Sequence, residues 1–207
     1  MNAPARALLL SCLAFLGVFP AIAEDDVAGI WSSSSRTKGG LGPQWIFSKD
    51  GNVTHAFGAL VDFLYEIDGN RIKMTLLAPD GSLTGEVSIQ EFSVDGDTLT
   101  QNPKTPDRKQ IMKRTGRPYK GAHPIVGEWT FKHYTGGPAL MRYSRTGVVQ
   151  LSVPFQTLMG TYRTTYDTLI ITPRNQPPIS YKFKREKDLL VLTDGEGKEG
   201  RFLGFEY

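Results

Sequence analysis

Three kinds of residue in this chain have the chemistry to form a site: its histidines, its paired carboxylates, and strands that mix arginine with aromatic rings. The three histidines are His55, His123 and His133. A zinc centre needs three or four ligands converging at about 2.0–2.2 Å, commonly with two histidines close in sequence. No two here are spaced to share a strand face, and His123 stands among prolines and glycines. They are read as surface or rim residues, and no metal is expected. Asp62 and Glu66 share one face of an extended segment. Burial that splits the pKa values of such a pair makes general acid–base work possible. Their neighbours Val61, Phe63, Tyr65 and Ile67 alternate with them as a core face would, so the carboxylates are read as the solvated side.

The second half of the chain is the better place for a ligand. Tyr181, Phe183 and Arg185 alternate with Lys182 and Lys184, Arg142 precedes Tyr143, and Arg163 follows Tyr162. Tyr134, Arg142, Tyr162, Tyr181 and Phe183 are the candidate binding residues, for an apolar or anionic molecule. There is no serine in a nucleophile elbow, no P-loop and no dinucleotide glycine fingerprint. No catalytic residue and no cofactor follow from the sequence. The run Gly39-Gly40-Leu41-Gly42 lacks the strand-to-helix setting of a phosphate cradle and reads as a mobile loop. Its counterpart Tyr134-Thr135-Gly136-Gly137-Pro138 stands in the same place in the second half, and both are candidate lids.

What holds these residues is a chain of short strands. Segments rich in Val, Ile, Thr, Tyr and Phe are punctuated by Asp50-Gly51, Asp68-Gly69, Asp80-Gly81 and Asp95-Gly96. Such pairs fit hairpin tips. Helical periodicity is missing, and the class is all-β. At the start, Ala7 to Phe19 is apolar, Pro20 breaks the run, and Ala21-Ile22-Ala23 supplies small residues before acidic Glu24-Asp25-Asp26. Residues 1–23 are read as a secretory signal peptide cut after Ala23, which places the mature chain in the periplasm or outside the cell. The single cysteine, Cys12, would leave with it, so disulfides and thiolate chemistry are not expected. Near balance of charge argues against nucleic acid. The strands are too short for an outer-membrane barrel, and no integral span is expected in the mature chain.

The chain also echoes itself. Gly29-Ile30-Trp31 and Gly127-Glu128-Trp129 open two stretches of like design, with Trp31 and Trp129 separated by 98 positions. Phe47 aligns with Tyr143, Tyr65 with Tyr162, and Leu99 with Leu190, and each stretch ends on a basic strand carrying Arg114 or Arg201. Residues 24–114 and 127–207 are therefore expected to form two tandem antiparallel meander β-barrels of about eight strands each, joined by a linker at residues 115–126. In each half, one expected turn falls between two of these strands, near residues 58–61 in the first half and 152–156 in the second.

A Gly-x-Trp on the first strand, an eight-strand meander and a late arginine resemble the lipocalin-like (calycin) group in a bacterial exported form. In that group the Trp plugs one end of the barrel and the last-strand Arg packs over it. The resemblance therefore implies a structural pairing of Trp31 with Arg114 and of Trp129 with Arg201. It also implies a binding module for a small, largely apolar molecule or for another exported protein. An isomerase- or cyclase-type barrel enzyme without cofactor, and an inhibitor of an exported enzyme acting through loops 36–43 or 134–138, are the alternatives. Nothing in the sequence sets an oligomeric state.

Overall fold

The computed structural model describes residues 27–205 and residue 207. The expected signal peptide, residues 1–23, lies outside the described residues. Fourteen strands follow in order: β1 (Gly29–Ser33), β2 (Leu41–Phe47), β3 (Asn52–Asp68), β4 (Arg71–Leu77), β5 (Leu83–Asp95), β6 (Thr98–Gln101), β7 (Gln110–Thr115), β8 (Gly127–Lys132), β9 (Pro138–Tyr143), β10 (Val148–Thr165), β11 (Thr168–Pro173), β12 (Ile179–Glu186), β13 (Leu189–Thr193) and β14 (Glu199–Leu203). Each pairs antiparallel with its neighbours, and β14 returns to β1, so the meander closes in a ring. All four Asp-Gly pairs sit at hairpin tips, with their glycines at positive φ. Among the described residues no helix is long and apolar enough to cross a membrane.

One further pairing changes the architecture. β3 and β10 lie antiparallel along nearly their whole length, from Val148↔Leu64 to Thr161↔Asn52, with a bulge between Pro154 and Gln156. This contact divides the ring into two closed circuits. One contains β1, β2, the first part of β3, the last part of β10, and β11 to β14. The other contains the last part of β3, β4 to β9, and the first part of β10. Each circuit has eight strand segments, and each draws strands from both halves of the sequence. We refer to them as the Trp31 lobe and the Trp129 lobe.

This is not the tandem arrangement expected of residues 24–114 and 127–207. Turns do not form near residues 58–61 and 152–156; β3 and β10 run through them and pass from one lobe into the other. Gly58 makes the crossing possible, since a Cβ there would stand 2.1 Å from the carbonyl oxygen of Val153. The expected linker, residues 115–126, joins β7 to β8 within one lobe. Two of its residues, Ile125 and Val126, are buried.

The pairing pattern is unchanged when each strand is exchanged for the one seven places later, so the two lobes are related by an approximate twofold operation. Their cores correspond position by position. Val27, Trp31, Trp45, Phe47, Val53, Leu169, Phe183 and Leu190 fill one. Ile125, Trp129, Met141, Tyr143, Val149, Ile72, Phe92 and Leu99 fill the other. Alternation along each strand sends these side chains inward and their neighbours outward.

The Trp closures correspond too, up to a point. Trp31 Nε1 donates to the Val27 carbonyl at 2.8 Å, and Trp129 Nε1 to that of Ile125 at 2.7 Å. Their cations differ from the expected pairs. Arg114 lies over Trp129, its Cζ 4.1 Å from the ring centroid, because β7 and β8 are neighbours and Arg114 is the register partner of Trp129. Gly127 leaves room for it: a Cβ there would meet the guanidinium at 2.8 Å. Trp31 has Arg185 at 5.3 Å instead. β14 pairs Leu203 with Ser32, which brings Gly204 to the level of Trp31, and a Cβ on Gly204 would come within 3.0 Å of the indole. Arg201 projects outward, with Glu199 at 3.7 Å.

Candidate functional site

The core of each lobe is filled by its own side chains, apart from a recess of about 240 Å³ lined by Trp45, His55, Tyr181 and Phe202 in the Trp31 lobe, and a larger cavity lies against the outward faces of the strands. Where the lobes meet, β1, β2 and the first part of β3 face β8, β9 and the first part of β10. The outward residues there are Ile30, Ser32, Gln44, Ile46, Thr54 and Ala56 from one lobe, and Glu128, Thr130, Leu140, Arg142, Gln150 and Ser152 from the other. The twofold operation exchanges the two sets. It pairs Ile46 with Arg142, Thr54 with Gln150, Ala56 with Ser152, Leu140 with Gln44, and Thr130 with Ser32.

One side of this junction is polar, with Arg142 closely held and smaller recesses of about 220 and 270 Å³ flanking it. Arg142 is only 1% exposed. Its guanidinium donates to Ser32 Oγ at 2.7 Å, to the Ile30 carbonyl at 3.1 Å and to Gln150 Oε1. Gln150 Nε2 donates to Asp62 at 2.7 Å, and Asp62 pairs with Arg36 at 2.7 Å. Gln44 Nε2 donates to Ser32 Oγ at 2.9 Å, and Ser152 Oγ to Gln44 Oε1 at 3.1 Å. The Phe205 ring covers the guanidinium, 4.5 Å from Cζ, and Tyr207 donates to Glu128 at 2.8 Å while stacking on Tyr119. Burial pulls the Arg142 guanidinium down from its ordinary value, and Tyr207, Glu128 and Asp62 oppose that shift. An arginine so placed keeps its charge. Burial pushes the Tyr207 phenol well up, with Glu128 adding to the effect.

The other side is open and apolar. A cavity of about 460 Å³ lies there, lined by Ile30, Ile46, Ala56, Pro138, Ala139, Leu140 and Pro154, with Thr54, Thr115, Thr130 and Thr157 between them. Gln44 and Ser152 reach it from the polar network, and Glu128 borders it. The volume falls in the range of small-molecule pockets, and the mix of apolar wall with a few polar groups is typical of them.

Comparisons with family models, curated proteins and solved structures found no match.

Three of the five candidate binding residues come together inside the Trp31 lobe, and the other two do not join them. Tyr162, Tyr181 and Phe183 belong to the core of the Trp31 lobe, where Tyr162 meets Phe47 edge-on at 4.9 Å and Tyr181 meets Trp45 at 6.3 Å. Tyr134 is 92% exposed at the β8–β9 turn. Arg142 alone reaches the junction. Of the two candidate lid loops, the second borders the cavity through Pro138, while the first, Gly39 to Gly42, runs into β2, and Arg36 just before it closes onto Asp62. The carboxylates read as one solvated face also part company: Glu66 is exposed beside Lys73 at 3.2 Å, and Asp62 is held in the buried network.

The histidines are dispersed. His133 bonds to Thr135 at 2.9 Å, the His123 ring accepts from the Ile125 amide at 3.2 Å, and His55 stacks on Trp45 at 4.1 Å. Among the described residues no group of three His, Cys, Asp or Glu side chains is placed to hold a metal ion. The residues that sequence reasoning missed, Ile46, Ala56 and Leu140, sit on the outward faces of β2, β3 and β9. Outward apolar residues at alternating positions of adjacent strands were the available signal.

Proposed function

We propose that this protein is an exported binding module that holds a small, largely apolar molecule between two lipocalin-like lobes rather than inside either one. The cavity beside Ile46, Ala56 and Leu140 carries the reading: it is the size of a small-molecule pocket, apolar along most of its wall, and set on rigid strands. Eight strand segments around a Trp-sealed core, twice over, support the resemblance to the calycin group and a common origin for the two halves. The signal-like segment at residues 1–23 supports export. The packed interiors weigh against carriage within a barrel.

Native mass spectrometry of the protein from its own source tests the reading. A bound small molecule is expected, and Leu140→Trp, which fills the cavity, should release it while circular dichroism stays β-type. A preparation without adduct, or an adduct that survives Leu140→Trp, overturns the proposal.

A further inference from the structure

The twofold relation between the lobes also says what is missing from the cavity. Across the junction, the equivalent space is occupied by two flat groups in contact: the Arg142 guanidinium and the Phe205 ring, 4.5 Å apart. Ile46 takes the place of Arg142 on the cavity side. The counterpart of Phe205 follows from strand register. Phe205 lies two residues past Leu203, the partner of Ser32, and so reaches the level of Ile30. Thr115 is the partner of Glu128, which is the equivalent of Ile30. Thr115 therefore stands where a second phenylalanine would complete the symmetry, and it lines the cavity.

The two sides differ in charge as well as bulk. Where one has Arg142, Gln150 and Gln44, the other has Ile46, Thr54 and Leu140. Glu128, the carboxylate at the border, is already engaged by Tyr207 at 2.8 Å. An anionic ligand would lose hydration there with no cation to meet it, and a cationic one would have only the already bonded Glu128 carboxylate at the border. A flat, neutral ring would lie against Ile46 and Leu140 and displace water from an apolar wall. Ser152 and Gln44 offer hydrogen bonds, and Thr54, Thr115, Thr130 and Thr157 add hydroxyls between the apolar side chains.

We infer that the cavity takes a flat, uncharged ring system of about two or three fused rings, bearing a hydroxyl-like group, occupying the slot that Phe205 and Arg142 fill on the opposite side. This rests on the binding role proposed above, with the class of ligand as the new element.

Methyl-resolved NMR of the full mature chain, titrated separately with 2-naphthol and 1-decanol, separates the two. We expect 2-naphthol to shift the Ile46 and Leu140 methyl resonances saturably. 1-Decanol should bind at least tenfold more weakly, and Thr115→Phe should weaken 2-naphthol at least tenfold while the core methyls of Leu99 and Leu190 keep their positions. Leu140→Phe, on another part of the wall, serves as the second filling variant if Thr115→Phe disturbs the fold. If 1-decanol moves the same resonances and 2-naphthol does not, the ring inference fails and the cavity reading stands. If neither probe moves them, or if filling variants leave 2-naphthol binding unchanged, both fail.

Discussion

The interiors of the two lobes resemble each other more closely than the two sides of the junction between them do. Inside, Trp31 matches Trp129, Phe183 matches Phe92, and Leu190 matches Leu99, with the same indole-to-carbonyl bond closing each end. At the junction, Arg142 stands against Ile46, Gln150 against Thr54, and Phe205 against Thr115. Packing explains the first result, because a closed circuit of strands tolerates little change of inward volume. It does not explain the second. The outward positions are not covered alike: Ser32, Gln44, Arg142 and Gln150 are buried around the cation network, whereas Ile46, Thr54 and Leu140 are half-buried and Thr130 is exposed around the cavity. The exchange of a cation network for a cavity makes the junction the part of the molecule to probe for function.

The interior half of that comparison makes the largest prediction. Trp31→Ala and Trp129→Ala should each lower the free energy of unfolding by about 3–5 kcal/mol through the cavity left behind. Trp129→Ala should be the costlier by up to about 1 kcal/mol, because the Arg114 guanidinium at 4.1 Å loses the ring it covers. Urea unfolding of the two variants measures both. Near-native stability in either one would break the equivalence of the lobes.

The junction makes the next. Arg142→Met strips the Ile30 carbonyl and Ser32 of a charged donor and should cost about 2–3 kcal/mol. Ile46→Met, at the equivalent position on the other strand, changes shape beside an open cavity and should cost less than about 1 kcal/mol. The asymmetry sharpens if the gap is that wide. Equal costs would mean that Ile46 packs as tightly as Arg142 and that the cavity is closed in solution.

Much of the fold was legible from turn chemistry and alternation. Four Asp-Gly tips set the early hairpins, and the repeat of Gly-x-Trp placed β1 and β8 correctly. The eight-strand count failed at Gly58-Ala59-Leu60, where a glycine beside small and apolar residues suits a turn as well as a close strand crossing. Only the contact with Val153, some ninety residues away, decides between them. From that single misreading followed the wrong Trp–Arg pairs, since the partner of a terminal strand depends on which circuit it closes. The site was less legible still. Arg142 stood out by type, but its neighbours Ser32, Gln44 and Asp62 come from the other half of the chain. The cavity exists only where two outward faces meet. Local sequence carries no record of which outward faces will be covered.

The smallest predicted effect concerns a residue with no titratable counterpart. His55 stacks on Trp45, and the equivalent pair in the other lobe is Leu151 beside Met141. Burial holds the His55 imidazole below its ordinary value. The charged groups beside it, Asp194, Lys198 and Glu199, with the phenol of Tyr181, are of both signs and line the same recess. A base whose pKa is lowered by folding resists the proton that the unfolded chain accepts. Its contribution to stability is therefore full above the unfolded value near 6.5 and declines as the pH falls below it. Unfolding midpoints at pH 7.5 and pH 5.5 should drop further for the unmodified protein than for His55→Leu, which installs the residue of the opposite lobe. The difference should be on the order of half a kcal/mol at a half-buried, partly screened position. Parallel pH profiles would show that His55 protonates freely in the folded state, and that the recess around Trp45 is as wet as a surface.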